Sequence, residues 1–158
     1  VTARKKLLGN VMGRLTKVAI SGPEPNAAVL LELKALRDRV PRLTGALVAS
    51  NDGLLVAHDL PAQIEPNGMA AMAASQLSLS HRLATTAHGG GFSEVVVHGT
   101  SGHVVIYAAG WTSLTVLAAP EVNIGRLHLE SRPAARAIAD LLTPVATDAR
   151  SEQTTKTH

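Results

Sequence analysis

Cysteine is absent from the 158 residues, which excludes a disulfide scaffold, thiolate zinc and iron–sulfur sites, and a cysteine nucleophile. The absence fits a reducing compartment, and a cytoplasmic location is expected. Aromatics are nearly absent as well, with Phe92, Tyr107 and Trp111 the only three. Single-strand nucleic-acid binders stack bases on several aromatic faces, so no nucleic-acid partner is expected. The core must be built from Leu, Val, Ile and Ala. No run approaches the roughly 20 apolar residues of a membrane-spanning helix. No cleavable leader is expected either, because Arg14 and Lys17 interrupt the first apolar stretch.

Acidic charge is missing from one end only. The first twenty residues carry Arg4, Lys5, Lys6, Arg14 and Lys17 and no carboxylate, while the other 138 hold ten basic and twelve acidic side chains. The pI near 9.7 therefore reports a basic arm and not a basic domain, and a whole-domain footprint for nucleic acid is not there. The remaining composition, 46% apolar, is enough for one domain with a sizeable core.

The chain divides into three parts. Residues 1–25 read as a basic amphipathic helix, with Leu8, Val11, Met12, Leu15 and Val18 at three- and four-residue spacing, followed by the breaker Ser21-Gly22-Pro23-Glu24-Pro25. Residues 143–158 form a polar tail expected to be disordered. Between them, residues 26–142 read as one α+β domain. Asn26 caps a helix to about Arg39 with Leu30, Leu33, Leu36 or Arg37, and Val40 on its buried side, and Pro41 ends it. Strands 44–50 and 54–58 flank the hairpin turn Asn51-Asp52-Gly53. A long helix spans about 65–87 and stops at Gly89-Gly90-Gly91. Strands 92–98, 103–109 and 112–118 follow, then a helix capped by Asn123 that runs to Leu142 and is expected to kink at Pro133.

The long helix carries an unusual pattern. Counting about 100° per residue from Met69, Met72, Leu79 and Leu83 fall near 280–320°, and Ala70, Ala73, Leu77 and Ala84 near 40–100°. Ala71, Ala74, Ser75, Ser78, Arg82 and Thr85 fill the opposite arc. That apolar side is wider than the roughly 100° stripe a one-sided surface helix needs, so two packing partners are expected.

Candidate chemistry is thin. The triple glycine 89–91 follows a helix and precedes a strand, the reverse of a phosphate loop, and no lysine accompanies it. Seven histidines contain no His-Glu-x-x-His pattern. His81 and His88 are seven residues apart, and His98 and His103 flank a hairpin where they can face each other, a weak two-ligand set. Ser101, His103 and Asp59 do not sit on a strand-to-helix elbow, and Ser101 between small turn residues is ordinary turn chemistry. No paired carboxylates stand out. Neither a catalytic residue, nor a metal site, nor a cofactor is expected. The basic arm has two readings: a membrane-surface helix using Arg4, Lys5, Lys6 and Lys17 against anionic lipid, or a segment packed on its own domain or a partner.

The run Val40-Pro41-Arg42-Leu43-Thr44-Gly45-Ala46-Leu47-Val48-Ala49-Ser50-Asn51-Asp52-Gly53-Leu54-Leu55-Val56-Ala57 resembles the helix end and first hairpin of roadblock domains, the superfamily of dynein light chains and bacterial GTPase regulators. The Ala-rich helix, Val95-Val96-Val97, Tyr107, Leu114-Thr115-Val116-Leu117-Ala118 and Asn123-Ile124-Gly125 continue the likeness over about residues 27–142. The resemblance implies a profilin-like αββαβββα fold with a five-stranded, mostly antiparallel sheet and helices on both faces. It implies a homodimer in which the long helices pair and the third strands join at their edges, with Met69, Met72, Ala73, Gln76, Ser80, Leu83, Val95 and Val97 at the interface. It further implies a bacterial, non-enzymatic regulator or adaptor of a Ras-like small GTPase. The alternative is a small-molecule-sensing or scaffold domain of a signalling complex, held near a membrane by the basic arm.

Overall fold

Pro25 starts the first described helix, α1 (Pro25–Arg39), so Asn26 lies inside the helix and does not cap it. Proline suits a first helical turn because its missing N–H would have no intrahelical partner there. The computed structural model describes residues 25–143. The basic helix expected at 4–20, the linker before Pro25 and the tail from 144 onward lie outside the described residues. Val29, Leu33 and Leu36 form the buried stripe of α1, continued by Val40 just past its end, and Arg37 instead reaches Asp59 at 3.2 Å.

The hairpin β1 (Leu43–Ser50) and β2 (Leu55–Asp59) follows, then the 23-residue α2 (Pro66–His88). The hairpin β3 (Glu94–Gly99) and β4 (Gly102–Ala109) leads into β5 (Thr112–Ala118) and α3 (Ile124–Leu142). The sheet order is β2-β1-β5-β4-β3, every neighbouring pair antiparallel. The profilin-like α+β arrangement is therefore present. Strand β3 starts at Glu94 and not at Phe92, although the Ala108 N–H still donates to the Ser93 carbonyl at 2.8 Å.

Side-chain alternation along the strands sorts the core into two layers. Val48, Val105, Tyr107, Leu114 and Val116 meet α1 and α3 in the larger cluster. Leu47, Ala49 and Ile106 meet α2 on the other face. On that face β5, the central strand, contributes Ser113 and Thr115, both fully buried with hydroxyls lacking a hydrogen-bond partner. Small strand residues and the buried Ala70, Ala73 and Ala74 let α2 lie close to the sheet. Ala74 belongs to the sheet-facing arc and not to the opposite one, since the buried arc extends further round the helix than residue hydrophobicity alone marks out. Glu65 caps α2 by accepting from the Asn67 N–H at 3.0 Å and from the Gly68 N–H. The turn at Gly53 (φ 90°) runs so close to α2 that a Cβ there would stand 3.4 Å from the Ala71 Cα.

Helix α3 is continuous through Pro133. Pro133 and Leu129, whose carbonyl loses its helical partner, are both on the exposed side, so the lost hydrogen bond falls on the face of the helix open to solvent.

Candidate interaction site

Two open features meet on one side of the molecule. The first is the outward arc of α2, where Met72, Leu79 and Leu83 are 61%, 62% and 71% exposed. The second is β3, which ends the sheet and, among the described residues, is paired on one side only, by β4. Between them lies an apolar groove of about 610 Å³ lined by Met69, Met72, Leu79, Val97, Val104 and Ile106, among others. Gln76 stands in the same arc and donates to the Ser80 hydroxyl at 3.0 Å. The helix thus has one face packed on the sheet and one without a partner among the described residues.

The candidate residues fall into distinct environments. Met72, Gln76 and Leu83 are exposed, and Met69 and Ser80 half-buried. Val97 is exposed on β3, while Val95 packs beneath α2 with Ile106 and Leu77. Ala73 is 3% exposed, seated on the sheet and touching the groove only at its floor. Leu79 was outside the candidate set although its position near 280° on the helical projection already grouped it with Met72. The sequence reading also missed a second apolar patch at the far end of the sheet, where Leu54 and Trp111 line a shallow depression. The Trp111 indole N–H there donates to the Leu142 carbonyl at 3.2 Å, satisfying one carbonyl of the last turn of α3.

The opposite face of β3 is tied down by polar contacts. The Glu94 carboxylate accepts from Arg132 Nε at 3.0 Å and from the second guanidinium nitrogen. His128 Nδ1 lies 3.7 Å from Glu94 and 2.8 Å from the Tyr107 hydroxyl. Hydrogen bonding from Arg132 holds Glu94 below its ordinary 4.5, and burial pushes the Tyr107 phenol up to about 12, so it stays protonated. A carboxyl with a depressed folded-state value stabilises the fold fully above its unfolded value and loses that contribution as pH falls through the folded one. Urea titrations should therefore show stability falling as pH drops below 4.5. Glu94→Gln should remove this acid-sensitive part and cost about 1 kcal/mol at neutral pH, the scale of a half-exposed ion pair. An acid profile unchanged in the variant would contradict the assignment.

The catalytic candidates do not assemble. Asp59 is paired with Arg37 on β2, three strand spacings of about 4.8 Å from β4, and Ser101 sits in the β3–β4 turn. Gly89 ends α2, its N–H donating to the Thr85 carbonyl at 2.9 Å, so the triple glycine is a helix stop. Among the described residues no three of His, Asp and Glu converge on a metal position. His81 meets Phe92 edge-on, whereas His98 and His103 do come together, with Nδ1 atoms 3.1 Å apart. No helix among these residues is long and apolar enough to cross a membrane.

This frame has known counterparts. Residues 29–118 match the Roadblock/LC7 domain family. A solved Roadblock/LC7 domain from Streptomyces avermitilis is 30% identical with a TM-score of 0.66, covering 72% of this chain and 96% of that one. The gliding protein mglB of Thermus thermophilus is 18% identical with a TM-score of 0.67, covering 77% of this chain and 93% of its own, a likeness of fold. An uncharacterized protein of Methanocaldococcus jannaschii is 29% identical over 110 residues, 70% of this chain and 93% of that protein. With the family match spanning more than half the chain and the five-stranded frame shared with solved members, the chain belongs to the Roadblock/LC7 domain family.

Proposed function

We propose that this protein is a homodimeric, non-enzymatic regulator or adaptor of a Ras-like small GTPase. The observation that carries the dimer is the juxtaposition of an apolar helix face with a strand edge, neither of which has a partner among the described residues. A twofold axis along the α2 groove would pair α2 with α2 and β3 with β3, covering both at once. Met69, Met72, Gln76, Ser80 and Leu83 would meet the second copy, with Ala73 beneath them. Val97 would sit beside the joined strands and Val95 would support them from below.

The GTPase partner rests on family membership together with what the roadblock resemblance implies. A partner can speed GTP hydrolysis by inserting an arginine or by ordering the switch loops of the GTPase. Arg42 and Arg82 are exposed, but neither projects from a distinctive loop. Arg42 adopts a positive φ of 73°, and its carbonyl accepts from the Ala119 N–H at 2.9 Å, a structural use for that backbone. Ordering of switch loops is the favoured route. The test is a pull-down from the organism's own lysate with GDP or a non-hydrolysable GTP analogue. Nucleotide-dependent recovery of one small GTPase supports the proposal; a folded, dimeric bait that recovers none in either state counts against it.

A second reading draws on the groove itself. Thr115, buried and without a hydrogen-bond partner, lies at its floor and offers a single polar handle to a small apolar ligand. In that reading the domain is a sensor or scaffold, and native mass spectrometry of purified protein would reveal the bound metabolite. A membrane-peripheral role through Arg4, Lys5, Lys6 and Lys17 is compatible with either and is decided by vesicle co-sedimentation with and without residues 1–24.

A further inference from the structure

The geometry points to a two-histidine binding site, His98 with His103, for a divalent first-row transition ion of the zinc, nickel or copper type. Thr100 and Ser101 form the two-residue turn between β3 and β4, closed by the pair Gly99 and Gly102, and His98 and His103 are the next pair in register. Directly opposed residues of an antiparallel pair project to the same face with Cα atoms about 4.5–5.5 Å apart. The imidazoles meet edge-on, with ring centroids 4.8 Å apart and planes at 82°.

The nitrogen spacing is the decisive quantity. Two imidazole nitrogens bound to one ion at about 2.0–2.1 Å each, at angles between square and tetrahedral, stand roughly 2.9–3.4 Å apart. The Nδ1 atoms here are 3.1 Å apart, so the spacing of a chelate exists before any ion arrives. Without an ion, one ring donates its Nδ1–H to the other; coordination through both Nδ1 atoms requires that ring to carry its proton on Nε2 instead, so both imidazoles bind in the neutral form. Imidazole suits these ions, and hard cations such as magnesium and calcium prefer oxygen donors.

The hairpin fixes the backbone register beneath the pair. A Cβ on Gly99 would meet the Gly102 carbonyl oxygen at 2.7 Å, and one on Gly102 would meet that of Ala118 at 2.7 Å, so the backbone around the pair is close-packed. His98 is exposed and His103 half-buried, which leaves coordination positions for water. By strand alternation His98 shares a face with Glu94 and Val96, the α3 side of the sheet. Pairing of β3 at its edge would leave the ring free, and the site does not depend on the proposed dimer or GTPase.

The test is a zinc chloride titration of the full-length protein, followed by the imidazole nitrogen resonances in long-range proton–nitrogen NMR. The rings of His98 and His103 should shift together and saturate at one ion per chain. His98→Gln, which keeps a polar side chain on the hairpin, and His103→Ala should each weaken zinc binding at least about tenfold, since even removing an outer-shell partner of a metal ligand costs 10–100-fold. Movement of other histidines while these two stay still would overturn the site. So would variants that are folded by circular dichroism and bind zinc as tightly as the unmodified chain.

Discussion

Replacing Met72 and Leu83 together by glutamate should leave a folded monomer of 16.4 kDa, whereas the proposed dimer requires the unmodified chain to sediment at twice that mass. Both side chains are more than half exposed in the single chain, so carboxylates there are solvated and the fold itself should be unaffected. In the paired state the same carboxylates would be stripped of water. Close to a twofold axis each would also approach its own copy, adding like-charge repulsion. An unpaired charge buried in an apolar interface costs several kcal/mol, and each 1.4 kcal/mol is a factor of ten in affinity, so the dissociation constant should rise at least about a thousandfold. Leu31→Glu is the matching control, equally exposed at 66% but on α1, which packs against the other face of the sheet. It should leave the dimer intact. Sedimentation equilibrium decides the matter: an unmodified chain that is monomeric at every concentration, or a double variant that still dimerises, would rule out the α2 interface.

Leu114→Ala should be the most damaging of the simple core truncations. Leu114 is wholly buried on β5, the central strand, within the cluster shared by α1, α3 and the sheet. Neighbours anchored on three elements have little freedom to collapse into the space left behind. Leucine-to-alanine changes at such sites cost about 3–5 kcal/mol through lost transfer energy and the residual cavity, a large fraction of the roughly 5–15 kcal/mol that holds a domain folded. Leu54→Ala, at the exposed tip of the first hairpin, should change stability by less than about 0.5 kcal/mol. Equal urea midpoints for the two variants would mean that the α1–α3 layer is not the main store of stability.

The secondary structure was legible because most of its signals are local. Val40-Pro41, Asn51-Asp52-Gly53, the triple glycine and Asn123 act on their immediate neighbours, and each lies at or beside the element boundary expected from it. The misplaced boundaries are those that longer-range contacts decide. Residues 92 and 93 look like strand, yet assigned β3 begins at Glu94, where pairing with Tyr107 starts. Ala74 reads as outward-facing because alanine marks no side of a helix by itself; it is buried where the turn at Gly53 runs close beside it. The candidate interaction residues were legible in the same partial way. Spacing placed Met72 and Leu83 on one arc and Ala73 on the other, but which arc meets the sheet, and so buries Ala73, is decided by the tertiary fold.

Sequence alone determined the absence of cysteine chemistry and the succession of helices and strands, since composition and short-range propensity need no partner across the fold. It also determined that α2 has two apolar sides, because a helix's periodicity is a property of its own residues. Tertiary structure decided which side meets the sheet and which strand is left at the edge, because both depend on pairings between segments far apart in the chain. It also decided the fates of the polar candidates. Asp59 and His103 are parted by two intervening strands, while His98 and His103 are brought to 3.1 Å. The second result was open to a sequence reader only as a hairpin that could pair them; the register that does so is set by strand hydrogen bonding and by the glycines that close the turn.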